Sequence, residues 1–163
     1  MVRSIIAYIM SQLMDKQLYR RTYVQKIMYF VSPEELRKDI FIPYLYGPYS
    51  PGVQRVIQYL EQNQDLIDVW KKEEIPKNLK YKIDKLVDFI KRKNISVNDI
   101  SLLAKIHYLL SESDTQNDEE FVKLVKQKSI ILGWTELSKL EAEEILSVKR
   151  KLKEIIDVIH ANN

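Results

Sequence analysis

The chain has 163 residues, of which 45% are hydrophobic and 30% charged, the composition of an ordinary globular protein with a sizeable core. Cysteine is absent, which excludes disulfides and thiolate chemistry and fits a reducing, cytoplasmic location. No apolar run approaches the ~20 residues that a membrane span needs, so we expect no membrane partner. The net charge of +3 is too small to indicate a nucleic-acid partner by itself. The abundance of Lys, Glu, Ile and Tyr, with three glycines in all, is typical of a thermophilic protein.

Charge and tyrosine are unevenly distributed along the chain. Residues 1–60 carry eight basic and four acidic side chains, whereas residues 61–163 carry eighteen and nineteen. Eight of the ten tyrosines also lie in the first sixty residues. A basic surface with aromatic residues is compatible with a nucleic acid or an acidic partner. A tyrosine-rich core beneath a solvated face explains the same composition equally well.

Three helices and one strand are predicted at the start of the chain. Apolar residues recur at helical spacing over 5–13 and again over 24–31, which predicts two amphipathic helices. A short helix follows, because "SPEE" (32–35) places a proline at the first helical position. "IFIPYLYG" (40–47) alternates as a strand does, and Pro43 confines that strand to the edge of a sheet.

The turn-forming residues of the chain are concentrated in residues 41–54, which hold two of the three glycines and three of the five prolines. "YGPY" (46–49) predicts a turn, because its glycine permits backbone conformations closed to other residues and its proline fixes φ. Ser50 and Pro51 have the form of a helix N-cap and a first helical residue, so we expect a helix over 51–62.

A β-hairpin is predicted near residues 66–83. "LIDVW" (66–70) is an apolar run, "KKEEIPKN" is a charged turn with a proline, and "LKYKI" (79–83) alternates between apolar and polar residues. The second arm could instead be the beginning of a helix over 79–93.

The last part of the chain is predicted to be helical. "SVND" (96–99) is a close variant of a capping box. "ISLLAKIHYLL" (100–110) is apolar nearly all round, which predicts a helix buried on most sides. The final helix carries an apolar stripe from Ile145 to Ile159, and we expect it to pack on its own domain rather than in a coiled coil.

These elements together predict one domain over residues 1–163. Its fold class is mainly α with a small β element. A winged-helix-like part covers residues 1–95, and a helical part covers residues 96–163. The basis for the first part is the order helix, short helix, extended edge, helix and hairpin, which resembles the winged-helix arrangement.

The winged-helix interpretation predicts a DNA-binding transcriptional regulator, in which the helix over 51–62 enters a major groove. Glutamine and arginine suit base edges, and the residues placed to read them are Gln54, Arg55 and Gln58. The basic residues placed to contact phosphates are Arg20, Arg21, Lys71 and Lys72.

A second interpretation comes from a resemblance to a known family. "YVQKIMYFV" (23–31), followed by "FIPYLYGPYSP" (41–51) and an amphipathic helix, resembles the SocA-like antitoxin domain, also called Panacea. Members of that family carry a helix of the form KLQKLLYF and then a strand ending in YGP that leads into a helix. The matching residues are Tyr23, Gln25, Lys26, Ile27, Met28, Tyr29, Phe30, Tyr46, Gly47 and Pro48.

The resemblance covers about residues 20–62, roughly a quarter of the chain. It implies a non-enzymatic protein that binds and neutralises a protein partner, a toxin. The sequence departs from the family further on, where a Thr-His pair usually precedes a tryptophan; here "LLAKIHYLL" places His107 between Ile106 and Tyr108.

The residues themselves agree with a binding role in one respect, the aromatic and proline-rich loop on a helical scaffold. Tyrosine supplies a large contact area at low entropic cost, so such a loop suits a protein interface. The residues that we expect to bind the partner are Tyr44, Tyr46, Tyr49, Lys26 and Tyr29.

Motifs for catalysis are lacking in the sequence. No HExxH, GxGxxG, GxxxxGK[ST] or GxSxG pattern occurs. His107 lies in an apolar helix, where a hydrogen-bonded core histidine is the more common case. Lys26, Tyr29 and Tyr46 could act together only if burial shifted their pKa values. We therefore predict no catalytic, cofactor-binding or metal-binding residues and no enzyme; a metal-dependent or acid–base hydrolase is the third interpretation, which no motif favours.

Overall fold

The computed structural model describes residues 1–110 and 117–161 and shows a mainly helical protein with one small β-sheet. This part of the expected fold class is confirmed. In chain order the elements are α1 (Val2–Asp15), α2 (Arg21–Val31), α3 (Glu34–Ile40), β1 (Ile42–Tyr44), β2 (Gly47–Tyr49), α4 (Pro51–Gln62), α5 (Asp65–Trp70), α6 (Lys77–Arg92), α7 (Val97–Leu109), α8 (Asp118–Ile131), α9 (Thr135–Ser138) and α10 (Ala142–Ile159). Within the described ranges, none of these helices has the length and apolar character needed to cross a bilayer.

One hydrophobic cluster runs through the described chain, from Ile5 in α1 to Ile159 in α10. Helix α7 lies at its centre and packs against α2, β2, α8 and α10. The prediction that this helix is buried on most sides is confirmed. The stripe on α10, from Ile145 to Ile159, is buried against α6, α7 and α8, as expected for a helix that packs on its own chain.

The two strands form an antiparallel hairpin in which Tyr44 lies opposite Gly47 and Pro43 lies opposite Pro48. Neither proline can donate a backbone hydrogen bond, so the two prolines fit a non-hydrogen-bonded pair of the antiparallel ladder. The predicted turn over 46–49 is misplaced: the chain reverses at residues 45–46, two residues earlier, and Gly47 and Pro48 belong to β2. Gly47 has a φ of +105° and is the residue that adopts the left-handed conformation as β2 begins.

Helix α4 begins as its sequence predicts. Ser50 is the N-cap, and its hydroxyl accepts a hydrogen bond from the Val53 amide at 3.2 Å. Pro51 occupies the first helical position, where a missing amide hydrogen costs nothing. The capping box of α7 is also confirmed, with Ser96 and Asp99 exchanging two hydrogen bonds of 3.0 Å.

The β-hairpin predicted near residues 66–83 is wrong, because α5 and α6 occupy this part of the chain. The sixteen residues of α6 bury an apolar stripe whose members are three and four residues apart. A packed amphipathic helix of this length is more stable than an isolated two-stranded β-ribbon. Pro76, assigned to the hairpin turn, instead precedes the first turn of α6. The described residues contain no strand after α4, so the winged-helix arrangement is not confirmed.

Candidate functional site

The hairpin turn presents three consecutive large side chains to solvent. Tyr44, Leu45 and Tyr46 are 54%, 69% and 61% exposed, and we call these three residues the hairpin tip. Ile42, at the other end of β1, is also exposed. Scattered exposed apolar residues are normal on protein surfaces, but neighbouring ones on a turn form a patch that a partner can cover.

Side chains from distant parts of the chain hold the backbone of the hairpin. Lys26 Nζ in α2 donates to the Pro48 carbonyl oxygen at 2.8 Å. Trp134 Nε1, just before α9, donates to the Tyr44 carbonyl oxygen at 2.7 Å. Both strands therefore have a carbonyl group bound by a side chain from a neighbouring element, which fixes the hairpin against the helices.

The end of the hairpin is fixed in the same way by Gln25, the neighbour of Lys26 in α2. Its side-chain amide donates to the Ser50 carbonyl oxygen at 2.9 Å, and its side-chain oxygen accepts from the Ser50 amide at 3.0 Å. One buried glutamine thus satisfies both polar groups of one backbone residue, as a neighbouring strand would do.

Gly47 lies where the hairpin approaches α7 most closely. A Cβ atom on this residue would lie 3.1 Å from Lys105 Cγ and 3.3 Å from the Ser101 carbonyl oxygen. Its φ of +105° is also a conformation that side chains disfavour. Glycine is therefore required here by both the space available and the backbone conformation.

A small pocket lies between the hairpin, α2 and α4, and we call it the hairpin pocket. Its volume is about 220 Å³. Aromatic side chains form much of its wall, with the rings of Tyr44 and Tyr49 5.2 Å apart. The residues that line it are Arg21, Thr22, Gln25, Lys26, Tyr44, Tyr46, Gly47, Tyr49 and Gln54.

Lys26 is the most deeply buried charged side chain of this pocket, with 2% of its surface exposed. Burial, together with the nearby positive charge of Lys105, lowers the pKa of Lys26 to about 7. No Asp or Glu of the described residues forms an ion pair with it. Lys105 by contrast is paired with Glu136, their charged atoms 2.5 Å apart.

Arg21, the other basic residue of the pocket, is engaged by Glu61 in α4. Its guanidinium donates to the carboxylate at 2.5 Å and 2.9 Å. The Tyr19 hydroxyl donates to the same carboxylate at 2.7 Å. The hydrogen bond from Arg21 is the main cause that lowers the pKa of Glu61. The positive charge of Arg21 is therefore balanced within the chain.

The five residues expected to bind a partner fall into two groups. Tyr44 and Tyr46 are exposed and Tyr49 is half-buried, whereas Lys26 and Tyr29 are buried. The Tyr29 hydroxyl lies 2.7 Å from His107 Nδ1, which confirms His107 as a hydrogen-bonded core histidine. In this structure Lys26 binds the hairpin backbone, and Tyr29 packs in the core against Phe41 and His107.

The residues expected to contact DNA also differ in their surroundings. On α4, Arg55 and Gln58 are exposed, while Gln54 is half-buried and accepts a hydrogen bond from Gln25 at 3.3 Å. Of the phosphate-contacting set, Arg20 and Lys72 are exposed. Arg21 is bound to Glu61, and Lys71 binds Asp68 and Ser11 at 2.9 Å and 3.1 Å.

Three residues beside the hairpin were absent from the predicted site: Gln25 and Trp134, which bind its backbone, and Lys105, which lies against Gly47. Gln25 and Lys105 carry a signal in the sequence, because each is a polar residue within an otherwise apolar helix and must find a buried partner. Trp134 carries no such signal. Its bond to Tyr44 spans 90 residues, and no local pattern indicates it.

The described residues contain no cluster of three or more His, Asp or Glu side chains arranged to hold a metal ion. Comparison with known proteins adds no relative, since no family model, curated protein or solved structure matches the chain.

Proposed function

We propose that this chain is a non-enzymatic, antitoxin-like binding protein that contacts a protein partner through the hairpin tip and the helices beside it. The observation that carries the proposal is the exposure of Tyr44, Leu45 and Tyr46 on a turn whose backbone is bound by Lys26 and Trp134. Such a surface is both apolar and held in place.

Rigidity favours binding because association costs conformational entropy. Ordering a flexible side chain at an interface costs about 0.5–1.5 kcal/mol, and a mobile loop costs more. The Lys26 and Trp134 hydrogen bonds reduce that cost, since they order the backbone of the tip before a partner arrives. Tyrosine is among the residues that most often dominate binding energy at interfaces.

The competing explanation, that the tyrosines serve the core, accounts for some of them but not for the tip. Tyr23 and Tyr29 are buried, and both form internal hydrogen bonds. Tyr44 and Tyr46 leave more than half of their surface in water. These two side chains are therefore free to contribute area to an interface.

A protein suits the hairpin tip better than a nucleic acid does. The tip is uncharged, and the nearest basic residue of the pocket rim, Arg21, is already bound to Glu61. Phosphate contacts need available positive charge, whereas an apolar tip needs an apolar counterpart. The class of partner, a toxin, rests on the resemblance of α2 and the YGP segment to the SocA-like family.

A DNA-binding regulator is the second candidate, and the outer face of α4 is the observation that favours it. Arg55 and Gln58 are exposed on this helix and have the chemistry to read base edges. The winged-helix form of this proposal lacks support from the region after α4, where the described elements are helical. Two of its four phosphate-contacting residues, Arg21 and Lys71, are already in ion pairs.

The partner proposal is tested by native affinity capture with the double variant Leu45→Ser/Tyr46→Ser. The matched control is Ile131→Ser, which removes a similarly exposed apolar side chain from the end of α8. We expect the wild type and the control to recover a stoichiometric protein and the tip variant to lose it. Recovery of the same partner by the tip variant, or of none by the wild type, contradicts the proposal.

The DNA proposal is tested separately by retention of the wild type on duplex DNA across a salt series. Each phosphate neutralised contributes about −0.9 to the slope of log K against log salt. The variant Arg55→Glu removes the exposed positive charge from α4. Loss of retention in this variant supports the DNA proposal, and unchanged retention contradicts it.

A further inference from the structure

Lys26 is a buried lysine whose one hydrogen bond to the described residues is to a neutral group. It is 2% exposed, and its ammonium group donates to the Pro48 carbonyl oxygen. An ammonium group has three donors, so this bond uses one of them. Buried charges in proteins are ordinarily paired, because an unpaired charge in a low-dielectric interior is costly. The lysine therefore has both the charge and the donors to bind an anion.

The other charges around Lys26 are already balanced. Arg21, on the same helix, is bound to Glu61 of α4, and Lys105, on α7, is bound to Glu136 of α9. The groups that the hairpin and α4 contribute to the pocket are Tyr44, Tyr46, Tyr49 and Gln54, all of them uncharged at neutral pH. The protonated form of Lys26 therefore has no anionic partner among the described residues, and a bound anion would stabilise it.

The size and lining of the hairpin pocket restrict which anion can bind there. About 220 Å³ lies below the 300–1,000 Å³ that is usual for drug-sized ligands, so the occupant is small. The rings of Tyr44 and Tyr49 form an apolar wall. A phosphate dianion would leave one charge unbalanced and would gain nothing from that wall. A carboxylate joined to a small apolar or aromatic body satisfies both requirements.

We propose that the hairpin pocket binds a small monocarboxylic acid, with Lys26 as the counter-ion of its carboxylate and the tyrosine rings of the hairpin packed against its body. Gln25 is fully engaged with Ser50 and does not take part. The site needs no macromolecule, although it shares Tyr44 and Tyr46 with the hairpin tip.

Binding at this site is linked to protonation. With a pKa of about 7, Lys26 is mostly neutral at pH 8, and a bound carboxylate favours its charged form. Acid binding at pH 8 therefore takes up close to one proton, while binding at pH 6 takes up almost none. The residues that line the pocket include no histidine, aspartate or glutamate. Proton uptake accordingly identifies Lys26 as the group that responds.

The test uses calorimetric titration of the full chain with benzoate at pH 8 in two buffers of different ionisation enthalpy. Benzamide, the neutral analogue, and inorganic phosphate are the comparison ligands. We expect benzoate to bind at millimolar concentration with uptake of close to one proton, and benzamide and phosphate to bind more weakly. Absence of benzoate binding, binding without proton uptake, or tighter binding of phosphate overturns the proposal.

Two further measurements assign the effect to Lys26. The variant Lys26→Met should abolish benzoate binding, while Lys38→Met, which removes an exposed lysine from α3, should leave it unchanged. Selective ¹³C labelling of lysine follows Cε of Lys26 in the wild type, which keeps the test valid if the variant does not fold. Benzoate should raise the pKa of that lysine, and an unchanged pKa contradicts the proposal. Partner capture is measured separately with the Leu45→Ser/Tyr46→Ser variant, so failure of the acid site and failure of the partner proposal are distinguishable.

Discussion

Lys26 Nζ donates to the carbonyl oxygen of Pro48 at 2.8 Å, so the lysine of α2 binds the backbone of a segment 22 residues further along the chain. The two segments that carry the resemblance to the SocA-like family are therefore in direct contact. Gln25 adds two bonds to Ser50, and Gly47 leaves room for the lysine, with its hypothetical Cβ 3.6 Å from Nζ. The contact between α2 and the hairpin therefore explains why Gln25, Lys26 and Gly47 occur in the two segments.

The burial of Lys26 predicts a pH dependence of stability. The pKa of a free lysine is 10.5 and that of Lys26 in the folded chain is about 7, so between these values the unfolded state binds more protons. The free energy of unfolding should therefore rise with pH in this window, by up to about 1.4 kcal/mol per pH unit. Urea denaturation between pH 7.5 and 9 measures the slope.

The control for this slope is Lys26→Met, in which the lysine contribution should be absent. Measurements stop at pH 9 because Tyr8 and Tyr19 have raised pKa values, chiefly through burial. Above that pH, ionisation of these tyrosines in the unfolded state lowers stability and opposes the lysine effect. Equal slopes in the wild type and the variant would contradict the assignment.

Gly47→Ala should destabilise the fold by about 1–3 kcal/mol, because the residue has a positive φ and its new Cβ would lie 3.1 Å from Lys105 Cγ. The matched control is Gly52→Ala in the first turn of α4, where the nearest atom to a Cβ is 3.8 Å away. Alanine favours a helix, so this control should keep or raise stability. Urea unfolding should give a lower midpoint for Gly47→Ala than for the wild type, and a midpoint for Gly52→Ala equal to or above that of the wild type.

Trp134→Phe should cost about 1–3 kcal/mol, since it keeps an aromatic side chain but removes the indole N–H that binds the Tyr44 carbonyl oxygen. Tyr108→Phe is the control, because Tyr108 packs edge-on against Trp134 at 5.8 Å and keeps that contact when its hydroxyl is removed. Hydrogen exchange of the hairpin amides should accelerate in the tryptophan variant alone. Comparable effects in both variants would show that the indole hydrogen bond is unimportant.

Gln25→Leu should destabilise the chain more than a comparable change at the surface. It leaves the amide of the buried Ser50 without its partner, at a cost of about 1–3 kcal/mol, while the Ser50 carbonyl oxygen keeps its bond from the Gln54 amide. Gln12→Leu is the reference, because Gln12 donates to Asp84 at a solvent-exposed site, where water replaces the lost bond. Thermal unfolding of the two variants should therefore give a clearly lower midpoint for the buried change.

Much of the helical framework could be predicted because its signals are local. Ser50 and Pro51 mark the beginning of α4, and the apolar sequence of α7 indicates its central position. The hairpin predicted near 66–83 failed because short apolar runs fit strand and helix equally well. The longer apolar stripe of α6 favours the helix, and most of that stripe lies after residue 83, beyond the predicted hairpin.

The candidate site could be predicted only in part. Exposure of Tyr44 and Tyr46 depends on which face of the hairpin points to solvent. Strands of three residues are too short for an apolar–polar alternation that would predict this face from the sequence. The buried position of Lys26 depends on α7, almost eighty residues away along the chain. The bond from Trp134 depends on a still longer separation. Contacts of this range follow from the packing of whole helices and leave no local pattern.

The proline pair of the hairpin has a consequence for self-association. The outer side of β2 is covered by α2 and α7, whereas every residue of β1 is exposed, so β1 is the free edge of the sheet. An exposed apolar edge strand invites pairing with a second copy of the chain. Pro43 removes an amide donor from the middle of that three-residue edge. The chain can thus display an apolar tip in solution while its edge resists the strand-to-strand growth that leads to aggregates.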